Sequence, residues 1–124
     1  MTTKRGTSNG NASGSAEDRR RRKAWLLETY AADTKAWVYQ FFDGAIEAVE
    51  PGALHVRAWL EPYILRQDIL ACRCYRCGKL LIFETLTVDR IIPGCQGGTY
   101  RRNNIRPACG KCNSETGGAV RRKG

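Results

Sequence analysis

Six cysteines in a chain of 124 residues set out the first chemistry. Four of them fall in two Cys-x-x-Cys pairs, Cys74 with Cys77 and Cys109 with Cys112. Two intervening residues let both thiolates of a pair reach one ion, and two pairs supply the four soft ligands of a closed tetrahedral site, so Zn²⁺ is expected. Four thiolates leave no position open for a substrate, and the expected role of the zinc is structural. Cys72 and Cys95 are left over. A shift of register would let Cys72 replace Cys74, but the two-residue gap between Cys74 and Cys77 suits a zinc knuckle better. Cys95 is given no role. Between the pairs runs L-T-V-D-R-I-I-P, from Leu86 to Pro93, and directly after the second pair stands Asn113. A carboxylate and an amide carbonyl are oxygen donors, the kind a hard cation such as Mg²⁺ takes while keeping waters and binding a substrate phosphate. Asp89 and Asn113 are therefore candidate ligands of a second divalent ion.

These residues need elements that bring them together. The β-branched stretch from Thr85 to Ile92 reads as a strand ending at Pro93-Gly94. After the Gly97-Gly98 loop, Asn104 to Pro107 reads as a second strand. Pro107-Ala108 is expected to open a short helix carrying Cys109, Cys112 and Asn113, stopped by Gly117-Gly118. Upstream, residues 1–16 are rich in Gly, Ser, Thr and Asn and read as a disordered arm. The basic run from Arg19 to Lys23 leads into a helix expected from Glu17 to Ala32, with Trp25, Leu26 and Tyr30 on its apolar face. That run suits either phosphate contact or a solvated helix start. Asp33 is expected to cap a second helix reaching Phe42, because Trp37, Val38, Phe41 and Phe42 make an i, i+4 stripe. Another helix is suggested near Pro62. His55, the single histidine, reads as a side chain without a chemical role. The resulting division is an arm over 1–16, a mainly helical segment over 17–71, a metal-bearing unit over 72–118 and a basic tail over 119–124.

As an ordered set, C-Y-R-C, L-T-V-D-R-I-I-P, the Gly-Gly pair, N-N-I-R-P-A-C and C-N resemble the HNH endonuclease family. The likeness is to the small zinc-stapled members common in bacteriophages, and it covers roughly residues 72–118. It implies an α+β fold, the ββα-metal motif with a four-cysteine zinc site preceded by a helical segment. It also implies hydrolysis of DNA backbone phosphodiesters with Mg²⁺ or Mn²⁺, leaving 3′-hydroxyl and 5′-phosphate ends. Asp89 and Asn113 match the positions that commonly bind the catalytic metal, and Asn104 matches the middle Asn that orients the loop. The family usually carries a general-base His directly after the Asp, and here that position is Arg90. A guanidinium stays protonated and cannot accept a proton, but it can clamp a phosphate. The base is then metal-bound hydroxide, Tyr100, Glu84 or Glu115, and the sequence does not choose. A zinc module that binds nucleic acid or a packaging partner without cutting is the alternative. A phage origin implies the cytoplasm of the host cell, and genome processing or packaging with a packaging enzyme as partner.

Charge agrees with a polyanionic partner. Residues 72–124 carry eleven basic and three acidic side chains, residues 1–24 seven and two, and residues 25–71 three and seven. The basic excess thus lies on the motif segment and the N-terminal arm, and with no obvious amphipathic basic helix there nucleic acid is favoured over a membrane. Arg101, Arg102, Arg106 and Lys111 are the main candidate phosphate contacts. Arg73, Arg76, Lys79 and residues 121–123 extend the surface, with Tyr75 and Tyr100 interleaved. No stretch approaches the ~18 apolar residues that span a bilayer. The polar N-terminus has no apolar leader, so reduced, metal-binding cysteines are expected rather than disulfides.

Overall fold

The computed structural model describes residues 14–115. The chain starts with helix α1, Ala16–Thr29, opened by a capping box in which Ser15 Oγ accepts from the Asp18 amide and the Asp18 carboxylate accepts from the Ser15 amide. The helix starts at Ala16, and Ser15 belongs to its cap rather than to the arm. The rest of the expected arm, residues 1–13, lies outside the described residues, as do Gly117-Gly118 and the tail. The buried face of α1 is Leu26 with Leu27, whereas Tyr30 is exposed and meets Trp25 edge-on at 6.3 Å.

The mainly helical reading of residues 17–71 is corrected beyond α1. Strands β1 (Ala36–Phe41), β2 (Ile46–Val49) and β3 (Tyr63–Ile69) form an antiparallel sheet in the order β2-β1-β3. The stripe with helical spacing falls in β1 and the turn after it: Val38 and Phe41 of the strand are buried, and Phe42 of the turn is 72% exposed. Trp-Val-Tyr-Gln-Phe is rich in aromatic and β-branched residues, and pairing on both sides outweighs a helical spacing only four residues deep. Asp43-Gly44 makes the hairpin turn, with Gly44 at φ 97° and the Asp43 carboxylate accepting from the Ala45 amide. The helix suggested near Pro62 is likewise replaced by a 3-10 turn, Val56–Trp59, and by β3. His55 caps that turn, its Nδ1 accepting from the Arg57 amide, and its ring lies 5.3 Å from Phe41. Its work is structural.

Strands β4 (Cys72–Arg73) and β5 (Leu80–Leu81) form a short hairpin whose turn carries Cys74 and Cys77. Strands β6 (Thr87–Arg90) and β7 (Ile105–Ala108) pair antiparallel, setting Asp89 opposite Arg106. Helix α2 occupies 110–115. Pro107 and Ala108 therefore complete β7 instead of opening the helix, since Pro107 pairs with Val88 and its carbonyl accepts from the Tyr75 amide.

Two cores hold these pieces. Leu26 and Leu27 pack with Cys72, Leu81, Leu86, Ile105 and the buried cysteines around the knuckles. Ala36, Val38, Ala48, Ala71, Leu80 and Ile82 form the second core under the sheet. Leu81 faces one core and its neighbours face the other, the period-two alternation of a strand. Leu26 is fully buried, so Leu26→Ala should cost about 2–5 kcal/mol. Chemical denaturation checks this, and unchanged stability would mean that α1 is not docked.

Candidate functional site

The four cysteines of the two pairs converge. Their Sγ atoms all lie within 4.8 Å of one another. A tetrahedral Zn²⁺ with bonds of ~2.3 Å separates its sulfurs by about 3.8 Å, and Cys77 Sγ lies 3.9 Å from Cys109 Sγ. Backbone amides point at the sulfurs, Arg76 N at Cys74 Sγ and Cys112 N at Cys109 Sγ, each at 3.4 Å. The donor set and spacing fit a zinc ion. Burial works against ionising Cys74, but amide hydrogen bonds outweigh it and pull its pKa down, whereas burial and the neighbouring thiols push Cys112 up. Four thiolates this close repel one another, and a dication removes that repulsion. Cys72 stands apart in the core, where burial raises its thiol to about 11, and Cys95 is exposed.

The loop between β6 and β7 is tied by Asn104. Its Oδ1 accepts from the Ile92 amide at 2.9 Å, and its Nδ2 donates to the carbonyls of Ile92 at 3.0 Å and Thr99 at 2.7 Å. The Gly-Gly pair serves the same loop. Gly97 is left-handed at φ 89°, and a Cβ on Gly98 would sit 1.5 Å from the Ile92 carbonyl oxygen.

Asp89 is only 5% exposed, and its Oδ2 accepts from Arg106 Nε at 2.7 Å. Arg106 in turn stacks over the Tyr75 ring at 3.7 Å. Asn113 donates through Nδ2 to Thr87 Oγ1 at 3.1 Å and to the Val88 carbonyl at 3.3 Å. Alternate residues of a strand share a face, so Thr87, which holds the Asn113 amide, and Asp89 point the same way from β6. With its nitrogen committed to β6, Asn113 offers its carbonyl oxygen as a donor. Carboxylate and amide oxygens suit a hard cation. The structure anchors Asn113 on β6 through Thr87 and Val88, while Arg106 is the partner of Asp89 that sequence reasoning missed. Only the cross-strand register reveals it.

Arg90 ends β6 with its guanidinium 4.4 Å over the Tyr100 ring, and Arg22 of α1 lies 4.5 Å over the same ring. A cleft of about 250 Å³ opens here, walled by Arg19, Arg22 and Lys23 of α1 and by Thr87, Val88, Tyr100 and Asn113. Of the three side chains named as possible bases, Tyr100 lines it. Glu84 and Glu115 are engaged elsewhere, paired with Arg66 at 3.5 Å and Arg76 at 2.6 Å.

The broad basic surface expected from sequence is narrower. Arg73 pairs with Glu50 at 2.9 Å and Lys79 with Glu47 at 3.4 Å, so both join the C-terminal half to the sheet. Arg101 and Lys111 are exposed, and Arg102 is exposed with its guanidinium 5.0 Å over Trp25.

Residues 74–123 match the family model described as HNH endonuclease. The match covers under half of the chain, and β6, β7 and α2 with the cysteine cluster fit the ββα-metal fold of that family. No curated protein and no solved structure gives a significant match to the chain.

Elemental analysis should find one zinc per folded chain, retained in Cys72→Ser and Cys95→Ser and lost in Cys112→Ser; zinc-free folded protein would refute the site. Asn104→Ala leaves three backbone groups without partners and should cost about 1–3 kcal/mol in a denaturation curve.

Proposed function

We propose that the protein is a metal-dependent DNA endonuclease of HNH type that hydrolyses backbone phosphodiesters. The observation that carries this reading is the Asn113 amide bound to Thr87 and Val88, the two residues that precede Asp89 on β6, within a segment that matches the HNH family. Asp89 and Asn113 would hold Mg²⁺ or Mn²⁺ through oxygen. When bound, the ion supplies charge neutralisation at the scissile phosphate and the leaving 3′-oxygen. Arg106 keeps the Asp89 carboxylate aimed in its absence. Arg90, steadied on Tyr100, donates to a phosphate oxygen and accepts no proton. Asn104 fixes the loop between the two strands, and Arg101, Arg102 and Lys111 add phosphate contacts that carry no sequence information. The cysteine cluster stays outside the reaction.

A second reading is a zinc module that binds nucleic acid or a packaging partner without cutting. The Asp89–Arg106 ion pair favours it, because the guanidinium occupies the carboxylate that a metal must reach, and so does Arg90 in place of the family's usual His. The resemblance to phage proteins extends the first reading to genome processing or packaging in the host cytoplasm. No helix of the described residues is long and apolar enough to cross a membrane.

Supercoiled plasmid separates the two readings. Wild-type protein should nick it with Mg²⁺ or Mn²⁺ and not with EDTA. Asp89→Ala and Asn113→Ala should each lower the rate at least ~100-fold while zinc content and DNA binding persist. Arg90→Ala should also lower the rate, and Arg90→His should preserve or raise it. Failure of wild type, Asp89→Ala and Arg90→His alike to cut with any divalent ion would replace the first reading with the second.

A further inference from the structure

The basic run of α1 is divided by the helix into two faces. Arg20 pairs with Glu17 at 3.0 Å, and Arg21 pairs with Glu17 and Asp18, each at 3.3 Å, all on exposed helix surface. Arg19, Arg22 and Lys23 have the i, i+3, i+4 spacing of one helical face, and that face lines the cleft containing Tyr100 and Asn113. Among the described residues the cleft walls include three cations and no carboxylate, although Lys23 Nζ lies 4.8 Å over the Phe83 ring and within electrostatic reach of Glu84. A second feature turns the charge toward the site: the guanidiniums of Arg22 and Arg90, from α1 and from β6, both lie over the Tyr100 ring. The docking is fixed by Leu26 and Leu27 in the core that includes the cysteines. Positive groups held at a concave surface beside an amide call for an anion with several oxygens, spaced along a chain rather than single. The backbone of a nucleic acid has that form.

We propose that Arg19, Arg22 and Lys23 of α1 are substrate-binding residues that hold backbone phosphates of the nucleic acid next to the one over Asn113. Helix α1 lies outside the HNH-matched residues 74–123, so this chain adds its own wall to the family's site. The inference rests on the nucleic-acid reading of the cleft and not on cleavage itself.

Two charge-matched variants test it, Arg19→Gln/Arg22→Gln and Arg20→Gln/Arg21→Gln. Each removes two positive charges from the same helix, so distant attraction falls equally. Binding of a fluorescent DNA duplex by zinc-loaded protein is measured against salt without added divalent ion. The cleft pair should weaken binding at least ~10-fold at low salt and reduce the slope of log affinity on log salt by about 2, roughly 0.9 for each phosphate no longer held. The outer pair should leave the slope within about 0.5 of wild type. Arg19→Gln alone, on exposed surface, should lower the slope by about 1 and decides the matter if the double variant loses its zinc. Equal losses in both pairs, no loss in the cleft pair, or no binding by wild type overturns the proposal. Wild-type protein that binds but does not cut, with the contrast intact, removes the nuclease reading and leaves this phosphate track in place.

Discussion

Four sulfurs drawn to one point constrain everything else in this molecule. Cys74 and Cys77 sit in the turn between β4 and β5, Cys109 follows β7, and Cys112 rides on α2. Closing them on one ion joins the two ends of the motif segment, a closure that a four-residue strand pair would not hold alone. Three of these cysteines, Cys74, Cys109 and Cys112, are walls of the core into which α1 inserts Leu26 and Leu27, while Cys77 is exposed. Loss of the ion therefore removes the cross-link from this cluster and lets its sulfurs take up protons. The position of Asn113, one residue beyond Cys112, depends directly on that closure, and so does its contact with β6.

Charge is sorted by the fold rather than spread over it. The acidic central sheet is consumed internally, since Glu50 and Glu47 pair with Arg73 and Lys79 of the knuckle hairpin. These pairs are exposed and each contributes little to stability, but they offset part of the sheet's negative charge locally. On α1, Glu17 and Asp18 likewise engage the arginines that face outward. What remains around Tyr100 and Asn113 is positive. A site for a polyanion arises from where the acids are placed as much as from the count of arginines.

Much of the site was legible because its parts are local. Cys-x-x-Cys spacing and the Gly-Gly turn act within a few residues and their chemistry follows from residue type, whereas the Asn104 clamp was expected only from the family resemblance. The central sheet was not legible. Trp37, Val38, Phe41 and Phe42 satisfy a helical spacing, and the decision for a strand comes from pairing with β2 across the adjoining hairpin and with β3, which lies further along the chain. The end of β7 differs from its expected place for a related reason. A proline before a helix reads as its first turn, yet Pro107 sits where its missing N–H costs no pairing and its carbonyl binds the knuckle. Arg106 against Asp89, and α1 against the cleft, depend on register and docking that no short motif encodes.

A divalent ion held by Asp89 and Asn113, at a place separate from the sulfur cluster, is what the nuclease reading stands on. Paramagnetic Mn²⁺ titrated into zinc-loaded, ¹⁵N-labelled protein with an uncleavable phosphorothioate duplex locates that ion. Amide signals of Thr87, Val88, Asp89, Arg90 and Asn113 should broaden first, with zinc retained. Broadening centred on the cysteines with release of zinc, or confined to acidic side chains of the sheet such as Glu47 and Glu50, would contradict it.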